Sequence, residues 1–199
     1  MKIVILSTSL LLMISTNADA QSISKKAVSG AIYLNNGEEV VTPFVYHETE
    51  QVIIRKDNAG IQVYTIFHVD SFFFYDPELM WQRRFKKMKY RDREYFFETV
   101  TPGEVSIVRL KLPHSAPDRV VLHEAERHQL DYRYFIRYQQ NLSNLNSYSM
   151  KSLKQIHPEY WSQLRKFARM RQLNFHKMGD KIQMVQKLND LINKKDSFR

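Results

Sequence analysis

Apolar and polar residues alternate, or form short apolar runs, along most of the stretch from residue 31 to residue 138. The runs are separated by turns rich in Asn, Asp, Gly and Pro, such as Asn35-Asn36-Gly37, which is typical of a β-hairpin. The pattern predicts strands at 31–34, 39–46, 52–55, 61–67, 72–75, 95–100, 105–112, 119–123 and 132–138. Short strands at this close spacing favour an antiparallel meander or a small barrel.

The hydrophobic period changes from about residue 142 onward. Pro158 suits the first turn of a helix, which continues at helical spacing through Trp161 and Leu164. Gly179 interrupts that segment, and Asp180 is a candidate N-cap for a second helix. The second helix carries a single apolar stripe, formed by Ile182, Val185, Leu188 and Ile192.

Strands that are followed by helices, rather than alternating with them, predict the α+β class. The expected architecture is an antiparallel β meander or small barrel followed by a helical C-terminal region. We expect residues 1–20 to be a signal peptide, residues 21–140 a β-rich region, and residues 141–199 a basic helical region docked on the β region.

The N-terminus has the pattern of a secretory signal peptide. Lys2 supplies a positive start, twelve mostly apolar residues follow, and small residues precede an expected cut between Ala20 and Gln21. Twelve helical residues rise only about 18 Å, which is too short to cross a hydrocarbon layer of about 30 Å. Because no cysteine follows the cut, we do not expect a lipoprotein. No later stretch approaches about 18 consecutive apolar residues, so we expect a secreted or periplasmic protein with no transmembrane segment in the mature chain.

The chain has 199 residues, no cysteine and a formal net charge of +9. The lack of cysteine excludes disulfides, thiolate metal sites and cysteine nucleophiles, so a hydrophobic core must hold the fold, and it favours bacterial export. The charge is unevenly distributed, because residues 145–199 carry 12 basic and 4 acidic residues, a net charge of +8. The predicted helical region is therefore the basic part of the molecule.

No segment has the spacing of a known catalytic motif. His123 and His128 lie five residues apart, whereas two zinc-binding histidines on one helix face lie four apart. Neither a G-x-S-x-G motif nor a glycine-rich phosphate loop is present. The sequence predicts a non-enzymatic protein with no catalytic residue, metal or cofactor. A small hydrolase whose site is assembled from distant His, Asp and Glu residues stays an alternative.

The strongest local bias in composition lies between Trp81 and Arg93, where the net charge is +6. The candidate anion-binding residues are the basic side chains of this run: Arg83, Arg84, Lys86, Lys87, Lys89, Arg91 and Arg93. The run fits both a helix and the arm of a long hairpin. It is either a solvated face or a surface for anionic envelope components, such as lipid headgroups or polysaccharide. Nucleic acid is not an expected partner of an exported protein, although a nucleic-acid-binding module stays an alternative.

The run Phe72-Phe73-Phe74-Tyr75 would make both faces of its predicted strand apolar. Burial on two sides produces this pattern, and so does an exposed aromatic platform for sugars or bases. Since aromatic runs in strands usually pack in a core, we expect burial.

Three short runs carry a family resemblance: 30–37 (GAIYLNNG), 95–98 (YFFE) with Gly103-Glu104-Val105 following, and 134–137 (YFIR). With them the chain resembles a group of uncharacterised secreted proteins of Gram-negative bacteria, of the Bacteroidetes type. The resemblance covers most of the mature chain and implies an exported protein that is β-rich first and helical last. Residues 30–74 are also similar to SH3-like or Sm-like barrels, although Thr42-Pro43-Phe44 stands where such barrels often place a bend-forming glycine.

Together these observations predict an exported binding or interaction protein of the cell envelope without enzymatic activity. The alternatives are a polyanion- or nucleic-acid-binding module and a small hydrolase.

Overall fold

The computed structural model of the protein describes residues 26–111 and 132–196. The predicted signal peptide, with its expected cleavage between Ala20 and Gln21, lies outside these described residues. So do the predicted strand 119–123 and the side chains of His123 and His128.

Within the described residues, ten strands form one sheet in which all neighbouring strands run antiparallel. They are β1 (Val28–Leu34), β2 (Glu39–His47), β3 (Val52–Asp57), β4 (Gly60–Tyr64), β5 (Val69–Asp76), β6 (Trp81–Tyr90), β7 (Arg93–Thr101), β8 (Val105–Lys111), β9 (Tyr132–Tyr138) and β10 (Asn141–Asn144). The order across the sheet is β10-β9-β8-β7-β6-β5-β1-β2-β3-β4. The sheet therefore consists of two meanders, β1–β4 and β5–β10, joined by the pairing of β1 with β5.

This topology confirms the α+β class and the antiparallel sheet followed by helices. The small barrel is wrong, because the sheet is open, with β4 and β10 at its two ends. The β1–β5 pairing places the two meanders side by side, so the sheet widens instead of closing on itself. The basic run is a hairpin, since β6 pairs with β7 across a turn at Arg91 and Asp92.

The helical region begins after β10. It contains α1 (Met150–Ile156), a 3-10 turn (Pro158–Tyr160), α2 (Trp161–Met170) and α3 (Met178–Asp196). The predicted N-cap of α3 is displaced: the helix begins at Met178, and the Asp180 carboxylate accepts a hydrogen bond of 2.7 Å from the Asn174 N–H. Within the described ranges, no helix has the length and apolar character needed to span a membrane.

The helices pack on one face of the sheet, over β8 and β9. We call this side, which carries Phe72 and Ile107, the core face, and the other side, which carries Phe73 and Val108, the opposite face. One hydrophobic cluster joins the buried side chains of α1, α2 and α3 to the core face; its sheet members are Val105, Ile107 and Ile136, and its α3 members include Val185, Leu188 and Ile192.

A second cluster lies farther along the core face, over β1, β5, β6 and β7. It is covered by the β2–β3 hairpin: β2 pairs with β1 through Glu39–Phe44 and with β3 through Val45–His47. The Tyr46 ring reaches β5 and β6, with centroids 4.7 Å from Phe72 and 4.9 Å from Phe85. The end of β2 therefore crosses over the sheet, and this crossing brings the β2–β3 turn to the middle of the core face.

Buried polar side chains of α3 fix the helix on the sheet. The Asn189 side chain brackets the β7–β8 turn: its Nδ2 donates to the Val105 carbonyl at 2.7 Å, and its Oδ1 accepts from the Val105 N–H at 3.2 Å. Lys181 Nζ donates to the carbonyl oxygens of Leu145 and Asn146 at 2.6 and 2.7 Å. These bonds satisfy the backbone groups of Val105 and Leu145, which are both buried.

Candidate functional site

The strand geometry divides the basic run between the two faces of the sheet. Side chains alternate along β6, so Arg83 lies on the core face, whereas Arg84 and Lys86 lie on the opposite face. Lys87, on the core-face side, donates from Nζ to Asn35 Oδ1 at 2.8 Å and so ties β6 to the β1–β2 turn. The remaining members lie toward the hairpin tip and are exposed: Lys89, Arg91 and Arg93. The seven basic residues therefore do not form one surface.

Arg83 belongs to a largely buried group of charged and polar side chains, which we call the ionic cluster: Glu48, Arg83, Glu98, Arg109 and Tyr132. The Glu98 carboxylate receives two hydrogen bonds from each guanidinium, at 3.0 and 2.6 Å from Arg83 and at 2.8 and 3.0 Å from Arg109. Glu48, in the β2–β3 turn, accepts from Arg83 Nη2 and from the Tyr132 hydroxyl, both at 2.9 Å. The cluster thus joins the β2–β3 turn to β6, β7, β8 and β9.

Burial alone would lower the pKa of Arg83, but hydrogen bonding to Glu98 and the charge of Glu48 outweigh it and raise that pKa. The pKa of Arg109 is raised in the same way, mainly by Glu98. Both guanidinium groups therefore stay charged, and the opposing charge comes from Glu48, Glu98 and Asp76, whose Oδ2 lies 3.7 Å from Arg83 Nη1. Since Glu48 and Glu98 already engage the guanidinium groups of Arg83 and Arg109, we expect the ionic cluster to hold the strands together rather than to bind an external anion.

The ionic cluster makes stability depend on pH in the alkaline range. Burial, followed by the charge of Glu48, raises the pKa of Tyr132 above its ordinary value of 10.0. Above pH 10 the Tyr132 hydroxyl loses its proton in the unfolded state but keeps it in the folded state. The stability that this hydroxyl contributes is fully present below about pH 10, and it is lost as the pH rises toward the pKa of the folded state.

We therefore expect the free energy of unfolding to fall from about pH 10 upward, and to fall less steeply in Tyr132→Phe. The variant also loses a hydrogen bond, so its stability at neutral pH should be lower by about 1 kcal/mol. Urea unfolding between about pH 8 and pH 11 measures both effects. Tyr75→Phe, at an exposed position, is the matched control and should keep the wild-type slope. Equal slopes for Tyr132→Phe and the wild type would contradict the prediction.

The opposite face carries a second constellation, which we call the aromatic–basic patch: Tyr33, Phe73, Arg84 and Lys86. The rings of Tyr33 and Phe73 lie 6.3 Å apart, and Arg84 is the β6 partner of Phe73. These side chains line a shallow groove of about 390 Å³. Among the described residues, no carboxylate lies within ion-pair distance of Arg84 or Lys86.

The aromatic run of β5 is divided in the same way. Phe72 and Phe74 are buried in the core cluster, as expected for a packed strand. Phe73 is half-buried and Tyr75 is exposed on the opposite face. Burial on both sides is therefore wrong for this run, because no element of the described chain covers the opposite face of β5 completely.

His157 lies between the carboxylates of Glu104 and Glu159, two residues that are distant from each other in the sequence. His157 Nε2 is 3.1 Å from Glu104 Oε1, in an orientation that is not a hydrogen bond, and Nδ1 is 3.2 Å from Glu159 Oε1. The imidazole packs near the rings of Tyr138 and Tyr160. In the described ranges, no serine or threonine hydroxyl is hydrogen-bonded to it, and no group of three His, Asp or Glu residues is placed to hold a metal ion. The contacts of His157 with Glu104 and Glu159 therefore connect the helical region to the β7–β8 turn.

Sequence reasoning missed the other members of the ionic cluster. One signal was available: Glu98 follows Phe96 at a spacing of two residues, which places a carboxylate on the same face as a core aromatic ring. A buried carboxylate needs a cationic partner, but Arg83 and Arg109 cannot be chosen as its partners without the strand register.

Comparison of the chain with family models, with curated proteins and with solved structures finds no match. The resemblance to secreted Bacteroidetes-type proteins and to SH3-like or Sm-like barrels therefore stays a prediction, and function has to be argued from the geometry.

Proposed function

We propose that the protein is a non-enzymatic binding protein of the cell envelope, which binds anionic polymers through the aromatic–basic patch. The observation that carries the proposal is the position of Arg84 and Lys86, which lack a carboxylate partner among the described residues and lie beside the rings of Tyr33 and Phe73. Export through the predicted signal peptide, to the periplasm or the outside of the cell, is part of the same proposal.

The two kinds of side chain supply two kinds of interaction. Lys and Arg attract carboxylate, sulfate or phosphate groups over several ångströms, and they need no shaped pocket to do so. Aromatic rings offer flat apolar surface, against which the C–H face of a sugar ring gains dispersion contact. A patch with both is suited to a chain of cyclic units that carry acidic groups.

Among the expected anionic envelope components, this combination favours acidic polysaccharide over lipid headgroups. The rings line a shallow groove on the face of a sheet. A flexible polymer chain can follow such a groove, whereas a flat bilayer surface contacts the protruding cations and leaves the rings without a partner. Since nucleic-acid bases also stack on aromatic rings, single-stranded nucleic acid belongs among the test ligands.

We expect the double variant Arg84→Glu/Lys86→Glu to bind heparin, a model acidic polysaccharide, roughly tenfold or more weakly than the wild type at low salt, with a shallower dependence on salt. Arg83 is left unchanged, because it is buried in the ionic cluster and its reversal would disrupt the fold. Affinity chromatography and titration at several salt concentrations measure the effect.

The matched control is Lys89→Glu/Arg93→Glu, which changes the net charge equally at two exposed positions near the hairpin tip. It should lose much less affinity. Tyr33→Ser should weaken heparin binding without changing the salt dependence, because it removes a ring and no charge. Equal losses in the two charge variants would show a general effect of net charge and contradict the patch. Tighter binding to anionic liposomes or to single-stranded DNA than to heparin would contradict the polysaccharide assignment.

A further inference from the structure

We propose that strand β4 is a self-association edge, at which two copies of this chain pair antiparallel through residues Gly60–Tyr64. This strand ends the sheet, so one side of its backbone has no neighbouring strand among the described residues. Unpaired N–H and C=O groups along such an edge are a template for another strand, and proteins usually protect their edges with charges, proline or a covering element.

The edge of β4 lacks that protection. Ile61 is 67% exposed and Val63 is 52% exposed, and both side chains lie on the same face of the strand. The following turn presents Phe67, which is 79% exposed. No charged residue occurs from Ala59 to Val69, in a chain with a net charge of +9. Exposed apolar side chains gathered at one edge are typical of an interaction surface.

The turn that presents Phe67 is held in place by hydrogen bonds. The Phe67 carbonyl accepts from Asn35 Nδ2 at 2.7 Å, the His68 carbonyl accepts from the Asn35 N–H at 2.9 Å, and the His68 N–H donates to the Thr65 carbonyl at 2.9 Å. Lys87 in turn binds Asn35 Oδ1 at 2.8 Å. The ring is therefore displayed on a fixed turn, which lowers the entropy lost when a partner covers it.

A second copy of the chain fits this edge because the edge complements itself. In an antiparallel pair centred on Gln62, Ile61 of one copy lies opposite Val63 of the other, on the same face of the joined sheet. The two Gln62 residues face each other; each Oε1 already accepts from the Tyr64 hydroxyl at 2.8 Å and from Arg55 at 3.4 Å, so these polar side chains are satisfied within their own copy. Since the segment is uncharged, pairing brings no like charges together there. Strand β4 itself carries no Lys or Arg that could bind an acidic partner.

A groove of about 510 Å³ borders the same edge, with Leu34, Val63, Tyr64 and Phe67 among its lining residues. It offers further apolar surface to the second copy. Two five-residue strands bury less area than a permanent dimer interface, so we expect a dimer that forms and dissociates with concentration.

Sedimentation equilibrium from micromolar to millimolar protein tests the proposal. The wild type should shift from monomer to dimer as concentration rises, and Val63→Lys should stay monomeric over the whole range. Val41→Lys is the matched control, because Val41 in β2 is 76% exposed and receives the same charge. It should dimerise like the wild type.

The absence of cysteine permits a direct test of register. Residues opposite each other in an antiparallel pair have Cα atoms about 4.5–5.5 Å apart, within the range that a disulfide spans. Gln62→Cys should therefore form a covalent dimer on mild oxidation much faster than Asn58→Cys, at an exposed position in the neighbouring turn.

A wild type that stays monomeric up to millimolar concentration would overturn the proposal. So would equal cross-linking rates for the two cysteine variants, or a dimer that survives Val63→Lys. The proposal is independent of polyanion binding, because β4 contributes no residue to the aromatic–basic patch.

Discussion

Replacing Glu98 with glutamine is expected to destabilise the protein by about 3–5 kcal/mol, because it leaves two buried guanidinium groups without the charge that they share. The Glu98 side chain is only 3% exposed, and it receives four hydrogen bonds from Arg83 and Arg109. Glutamine has the same shape but no charge, and its NH₂ group would face a donor. A loss of this size is a large part of the roughly 5–15 kcal/mol that stabilises a typical domain.

Urea unfolding monitored by fluorescence measures the loss, provided that the slope with denaturant is unchanged. Glu94→Gln is the matched control: it lies in the same strand, removes the same charge and is exposed. It should change stability by less than about 0.5 kcal/mol. A loss below about 1 kcal/mol for Glu98→Gln would show that water reaches the cluster and that the carboxylate is not essential to the fold.

Gly30→Ala is expected to cost about 3 kcal/mol or more, at the upper end of the range for overpacking. Gly30 lies opposite Phe74 in the β1–β5 pair, the pair that joins the two meanders. A Cβ atom at position 30 would overlap the Phe73 carbonyl oxygen and press on Phe74 Cα and Cβ. Because most of these atoms are backbone, no change of rotamer relieves the overlap, and the strands have to separate.

Gly179→Ala is the control for the effect of replacing a glycine by alanine where the added Cβ causes no overlap. Its Cβ would meet no atom within 4 Å, and the position lies in α3, where alanine is favoured. The change should be neutral or stabilising by up to about 1 kcal/mol. Thermal and urea unfolding of the two variants compare them directly. A Gly30→Ala variant as stable as the wild type would mean that β1 and β5 tolerate a wider separation.

Much of the local structure was predictable from the chain alone. Alternation or apolar runs predicted most of the strands that the structure describes, and the apolar stripe of α3 contributes Val185, Leu188 and Ile192 to the core. The predicted strand 61–67 stops at Tyr64, because Thr65 and His68 close a turn with a hydrogen bond of 2.9 Å between their backbones. A backbone hydrogen bond within a few residues therefore ends a strand that the hydrophobic period alone would extend.

The candidate site was predictable only in part. Composition alone identified the basic run of β6, including Arg84 and Lys86. Composition did not distinguish these two residues from Arg83, which is adjacent to Arg84 in the sequence but lies on the core face, paired with Glu98. That division depends on which face of β6 the β2–β3 hairpin covers, and so on the crossing that brings Glu48 to Arg83 from 35 residues away.

The sequence by itself therefore determined most of the strands, the two longer helices, the order of strands before helices and the net charge, because these follow from periodicity and composition over short segments. Only the tertiary structure decided that the sheet is open, that β1 pairs with β5, and that Arg83 is buried while Arg84 is exposed. The physical reason is that the local pattern indicates which side of a strand is apolar, but it does not indicate which element covers that side. The covering element comes from a distant part of the chain. Several arrangements satisfy the same pattern, and the free energies of long-range pairing and burial select one of them.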